Sequence, residues 1–179
     1  MHGTAVGTPA EQYGPAHLEG NTTMANALSG RPRILVLNGP NLNFLGRREP
    51  IYGTTTLPEV EASMHEAAER LGVLVDFRQS NSESVLIDAA QEAMDDFEAV
   101  VLNPAGFTTT SVALRDSMSM LSVPVIELHL TNIHAREPWR HTSYFSSLAT
   151  TVIMGAGAHG YILALEHAAY LTHNSSPVA

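Results

Sequence analysis

Five short apolar runs, each emptying into polar turn residues, constrain what this chain can fold into more than any other feature. From Arg33 onward they are Ile34–Leu37, Val73–Phe77, Ala99–Leu102, Val123–Leu128 and Thr150–Met154. Each has the length of one buried strand. Between them the spacing changes to a helical period. Thr56 stands three residues before Glu59 as a capping box, and Val60, Met64, Ala67, Ala68 and Leu71 then share one face up to Gly72. Ser82 can cap a second helix with Val85, Leu86 and Ala89 inward. A third covers Ser111 to Leu121, and a closing helix runs from Gly157 to Leu171. Strand and helix in alternation predict an α/β fold, a five-stranded parallel sheet with helices on both faces and right-handed crossovers.

In such sheets the ligand sits beyond the carboxyl ends of the strands, at the switch point of the strand order. The residues after each strand therefore matter most. Strand one leads into Asn38-Gly39-Pro40-Asn41, then Gly46-Arg47-Arg48-Glu49-Pro50 and Tyr52. Strand two delivers Gln79 and Asn81, and strand three Asn103. Strand four carries Glu127 and delivers His129, then Asn132, His134, Arg136 and Arg140. Polar and titratable side chains gather on one edge of the sheet, and that edge is the expected site. The chain of 179 residues has a formal net charge of −9, so the close pairs Arg47/Arg48 and Arg136/Arg140 point to a small anionic ligand. The same acidity argues against a nucleic-acid surface.

Residues 1–32 are rich in Gly, Pro, Ala and polar types and lack an apolar signal core; they read as a disordered tail. Residues 33–173 read as one domain and 174–179 as a C-terminal tail. No apolar run approaches the roughly 18 residues of a membrane span. The chain has no cysteine, which excludes disulfides and is compatible with a reducing, cytoplasmic location.

A tyrosine, arginines, a histidine and several amides suit proton abstraction beside a carbonyl followed by loss of a hydroxyl group. Tyr52 beside two arginines is the expected base. Holding a phenol ionised at neutral pH costs roughly 4 kcal/mol, which neighbouring guanidiniums in a partly desolvated pocket can supply. His129 is the expected general acid, because hydroxide leaves poorly unless protonated. Glu127, two residues earlier on a strand, shares its face and can orient the imidazole. A structural role for His129, or a surface loop around Tyr52, is the plainer alternative. The spacing of His129, His134 and His141 fits no familiar zinc signature. Asn38 and Asn81 are expected to tie down loops, Arg47 to lie on the surface, Met94, Met118 and Met120 to fill the core, and His65, His167 and His173 to be exposed.

The segments LNGPNLNFLGRREPIYG, RQSNSE, NPAGFTTTSVALRD and IELHLTNIHAREPWRHTSY together resemble the type II 3-dehydroquinate dehydratases over Arg33 to His173. That resemblance implies a flavodoxin-like fold, a dodecamer of trimers, and no metal or cofactor. It implies anti elimination of water from 3-dehydroquinate through an enolate. On it, Tyr52 takes the C2 proton, Arg48 is the essential lid arginine, and Arg136 holds the tyrosinate charge. Asn41 positions a water at the enolate, and His129, backed by Glu127, protonates the leaving C1 hydroxyl. Backbone amides at Leu130 and Thr131 take the carboxylate, Asn103 and Arg140 contact ring hydroxyls, and Asp116 serves a neighbouring subunit.

Against the family pattern, Thr109 stands where a substrate-binding histidine is usual, and the lid is one residue shorter between Pro50 and Ile51. Thr142 and His159 replace the more usual His and Gln. A lost hydrogen bond at Thr109 costs on the order of 1–3 kcal/mol, a tenfold to hundredfold effect on binding. Three readings follow: a dehydroquinase with weakened binding, a paralogue acting on an amino-substituted or other cyclic hydroxy-ketone, or a scaffold without turnover. The first is favoured, because every proton-transfer residue is present. A flavin carrier or signalling receiver is the rival of another class, but Asn38 and Asn41 supply neither the acidic cluster nor the phosphate cradle it needs.

Overall fold

The computed structural model describes residues 30–174. Its five strands, β1 (Arg33–Asn38), β2 (Leu74–Gln79), β3 (Ala99–Asn103), β4 (Val125–His129) and β5 (Thr151–Met154), form one parallel sheet in the order β2-β1-β3-β4-β5. That is a flavodoxin-like α/β fold. Among the described residues four α-helices accompany them: α1 (Leu57–Leu71), α2 (Glu83–Asp96), α3 (Val112–Ser119) and α4 (Gly160–Asn174).

The two-residue period of a strand separates two cores. Ile34 and Val36 of β1 pack with α1 and α4, whereas Leu35 and Leu37 pack with α2 and α3. Because β1 is covered on both faces, four successive apolar residues there are fully buried. The chain leaves β1 for β2 on one side and returns to β3 on the other. The switch point therefore lies between β1 and β3, where Asn38 pairs with Asn103.

Helix α1 begins at the expected capping box: the Glu59 carboxylate accepts from the Thr56 backbone N–H at 2.7 Å and its hydroxyl at 2.8 Å. It ends at Gly72, whose φ of 69° is left-handed. Ser82 holds the N-cap position of α2, but its hydroxyl pairs with Ser84 instead of a helix N–H.

The structure corrects several local expectations. β2 runs on to Gln79, because its ladder with β1 continues past the last apolar residue and Arg78 finds Asp76 and Glu92. Val85, Met94 and Met120 are about half exposed, and only Met118 of the three methionines is core. His167 is half-buried and bonds Thr151 at 2.8 Å. α3 is shorter than expected, with Ser111 as its cap: the Ser111 hydroxyl accepts from Leu114 N–H.

Most of both expected tails lies outside the described residues. Of the part that is described, Arg31 donates to the Ala68 and Val73 carbonyls at the end of α1, and the Pro32 carbonyl accepts from Leu74. Among the described residues no helix is long and apolar enough to cross a membrane.

Candidate active site

The loops after β1, β3 and β4 enclose a cavity of about 250 Å³. Asn41, Arg48 and Tyr52 line it from the first loop, and Asn103 and Thr109 from the second. His129, Leu130, Thr131, Arg136 and Arg140 line it from the third. Ten of the twelve expected residues thus converge. Glu127 lies behind His129, and Asp116 is exposed on α3, outside this chain's own cavity.

Local backbone geometry puts these side chains there. Gly39 sits so close to the β3 loop that a Cβ would stand 2.3 Å from the Pro104 carbonyl oxygen, and its N–H donates to the Asn103 carbonyl at 2.8 Å. No larger residue fits at that crossing. Asn41 adopts a left-handed φ of 68°, and its N–H donates to Asn81 Oδ1, which also accepts from Gln79 Nε2. The asparagines expected to hold loops do so. Tyr52 ends a 3₁₀ turn, Pro50–Tyr52, opened by a proline with a pre-set φ.

Two guanidiniums attend the phenol, but they are Arg48 and Arg136, not the adjacent Arg47, which is exposed. Arg48 Cζ lies 4.6 Å from the Tyr52 ring centroid and Arg136 Cζ 5.5 Å. Arg136 Nη1 donates to Tyr52 Oη at 3.4 Å and to Thr131 Oγ1 at 3.3 Å. The bond to Tyr52 is the main cause that raises the Arg136 pKa above its ordinary value, with desolvation opposing. A cation held this way stabilises negative charge developing on the phenolic oxygen.

The second pair is buried. His129 Nε2 donates to Glu127 Oε1 at 2.6 Å, and Glu127 is fully buried. Burial pushes the Glu127 carboxyl up, but bonds from His129, Ser143 and Ser146 outweigh it and hold the pKa below the usual carboxylate value. Both serine hydroxyls donate at 2.5 Å. With Nε2 committed to Glu127, Nδ1 is the nitrogen left to carry a proton into the cavity. Arg140 is steered by Glu137, which accepts from its Nε at 2.8 Å, and by the Trp139 ring 4.0 Å away.

His134 and His141 meet edge-on at 5.8 Å. Among the described residues no three His, Asp or Glu side chains gather as metal ligands. Sequence reasoning missed Ser143, Ser146, Trp139 and Tyr161. The serines lie 16 and 19 residues from Glu127, and Tyr161 lies 123 from Asn38, so no local pattern connects them. Trp139, the only tryptophan, stands between two arginines of the site, and that position was a usable signal.

A doubly wound α/β chain whose carboxyl edge joins a phenol–guanidinium pair and an imidazole–carboxylate pair in one cavity has the equipment of an acid–base enzyme. Residues 32–169 match the family Dehydroquinase class II, and the chain belongs to it. It is 54% identical over 137 residues to the catabolic 3-dehydroquinase of Aspergillus clavatus, covering 76% of this chain and 91% of that protein. It is 53% identical over 139 residues to the 3-dehydroquinate dehydratase of Methylobacterium radiotolerans, covering 77% and 93%. Among solved structures, the type II dehydroquinase from Propionibacterium acnes superposes with a TM-score of 0.75 at 46% identity, covering 78% of this chain and 97% of that one.

Proposed function

We propose that this chain is a hydro-lyase that dehydrates 3-dehydroquinate to 3-dehydroshikimate. Tyr52 Oη takes the C2 proton, with Arg136 and Arg48 placed to stabilise negative charge on that oxygen. The electron pair moves into an enolate on the C3 oxygen, beside a water positioned by Asn41. The enolate then collapses to the conjugated ketone as the C1–oxygen bond breaks. His129 delivers a proton to the departing hydroxyl, so the products are enone and water and the atoms balance. Backbone amides at Leu130 and Thr131 hold the carboxylate, and Asn103, Thr109 and Arg140 address the ring hydroxyls.

The observation that supports this most is the bond from Arg136 to Tyr52 in the cavity that His129 also lines. The names of the relatives, dehydroquinase and dehydroquinate dehydratase, agree with it. The assay is the appearance of an enone absorbing in the near ultraviolet. Tyr52→Phe should abolish turnover and leave ligand binding largely intact; unchanged turnover in that variant contradicts the base assignment.

Thr109 lines the cavity where a longer polar side chain would reach further, which favours an amino-substituted or otherwise altered cyclic hydroxy-ketone as a second reading. Thr109→His should tighten binding of 3-dehydroquinate under the first reading and not under the second. A homo-oligomer, a dodecamer of trimers, belongs to the same proposal, supported by the exposed Asp116, which does not line this chain's described cavity. A cytoplasmic location goes with it and is tested by fractionation.

A further inference from the structure

A buried relay of three side chains runs from the end of β2 to the cavity. Asn38 Nδ2 donates to the Arg78 carbonyl at 3.1 Å, Tyr161 Oη to Asn38 Oδ1 at 2.5 Å, and Asn103 Nδ2 to Tyr161 Oη at 3.0 Å. Asn38 and Tyr161 are wholly buried and Asn103 nearly so.

The sense of every bond follows from the anchor. A backbone carbonyl only accepts, so Asn38 turns its NH₂ to Arg78 and its oxygen to Tyr161. A phenol has a single hydrogen, and that oxygen takes it. Tyr161 Oη is left as an acceptor, so Asn103 shows it Nδ2. The planar amide then carries Asn103 Oδ1 away from Tyr161. Among the described residues that oxygen has no hydrogen-bond partner, and it is not a buried orphan; the one such side-chain atom there is Arg31 Nε. Asn103 lines the cavity, so the oxygen opens onto it. Reversing the relay would set Asn38 Oδ1 against the Arg78 carbonyl oxygen in a dry interior, where two opposed acceptors cost most. Burial also pushes the Tyr161 pKa well up, the Asn103 bond opposing only in part, so the phenol keeps its hydrogen at all ordinary pH.

We propose that Tyr161 is a positioning residue which, through this relay, makes Asn103 present a hydrogen-bond acceptor to the cavity. The site thereby selects a substrate with a donor, hydroxyl or amine, at the ring position that meets Asn103. This consequence for specificity rests on the dehydratase reading; the relay does not.

The test compares wild type with Tyr161→Phe on 3-dehydroquinate and its 4-deoxy, 5-deoxy, 4-fluoro and 5-fluoro analogues, as KM or inhibition constants. Tyr161→Phe should raise KM for 3-dehydroquinate roughly tenfold with kcat nearly kept. For one deoxy analogue the two proteins should bind alike, and wild type should bind the matching fluoro analogue no better than that deoxy compound. Equal weakening for every compound, no weakening at all, or fluorine accepted as well as hydroxyl overturns the proposal. The wild-type arm stands even if the variant fails to fold. Side-chain amide resonances of the ligand-free wild type give a readout independent of turnover: one Asn103 Nδ2 proton should be strongly protected from exchange. Without that protection the relay is refuted; with it, but without dehydration of 3-dehydroquinate, the functional reading alone fails.

Discussion

Glu127 shows how much one side chain can depend on its depth in the sheet. A carboxylate with no exposure would be expensive alone, yet three donors meet it, and their joint effect keeps it ionised. The sign of its pH dependence follows. Its folded pKa lies below the ordinary 4.5, so at pH values between the two the unfolded chain binds a proton that the folded one refuses. The stability it contributes is present above about pH 4.5 and is lost as pH falls through the folded value. Glu127→Gln should therefore flatten that part of the acid unfolding curve. It should also cut turnover roughly a hundredfold or more by removing the anion that supports protonated His129. Urea titrations at several pH values and the enone assay read the two effects separately. At this scale the sequence was most legible where chemistry is local: Glu127 and His129 are two apart on a strand, and Tyr52 stands near Arg48. Arg136 was placed at the site edge by its position after strand four, but its pairing with Tyr52, 84 residues away, entered only through family resemblance, because nothing in spacing brings the two together.

The elements that carry these residues were read well from periodicity, since β1, β3 and β4 are buried along nearly their whole length and leave largely apolar runs. Their ends were read less well. Arg78 and Gln79 looked like loop because they are polar, although ladder pairing and two acidic partners keep them in β2. Val85, Met94 and Met120 looked like core because they are apolar, and the single chain leaves them exposed. The junction of β1 with β3 carries the sharpest steric demand. Gly39→Ala would place a methyl 2.3 Å from the Pro104 carbonyl oxygen, and backbone cannot swing aside as a side chain can. The variant should lose about 1–3 kcal/mol of stability or more, measured by chemical denaturation. Because the Gly39 N–H also ties down the Asn103 carbonyl, substrate affinity should fall in the fraction that remains folded. Full stability and full affinity together would show that the junction yields.

For the whole molecule, the parallel sheet gathers ten of the twelve expected site residues around one cavity at its carboxyl edge, as the alternation of strands and helices had implied. It had implied nothing of what surrounds the chain. Asp116 is exposed and away from its own cavity, so its expected service to a neighbour becomes a question about assembly. Asp116→Ala and Tyr52→Phe should each be nearly inactive by itself. After mixed dissociation and reassembly they should regain activity, because some intact cavities then receive Asp116 from the other variant. Gel filtration of the mixtures checks that oligomers have re-formed; oligomers without recovered activity would place Asp116 outside the site. Hydrogen exchange at C2 of 3-dehydroquinate in deuterated water tests most directly the proposed division of labour between phenol and imidazole. In His129→Ala the C2 hydrogen should wash out without product forming, since Tyr52 still removes it and the hydroxyl cannot leave. In Tyr52→Phe it should stay in place; washout in Tyr52→Phe at the His129→Ala rate would contradict the assignment of the base.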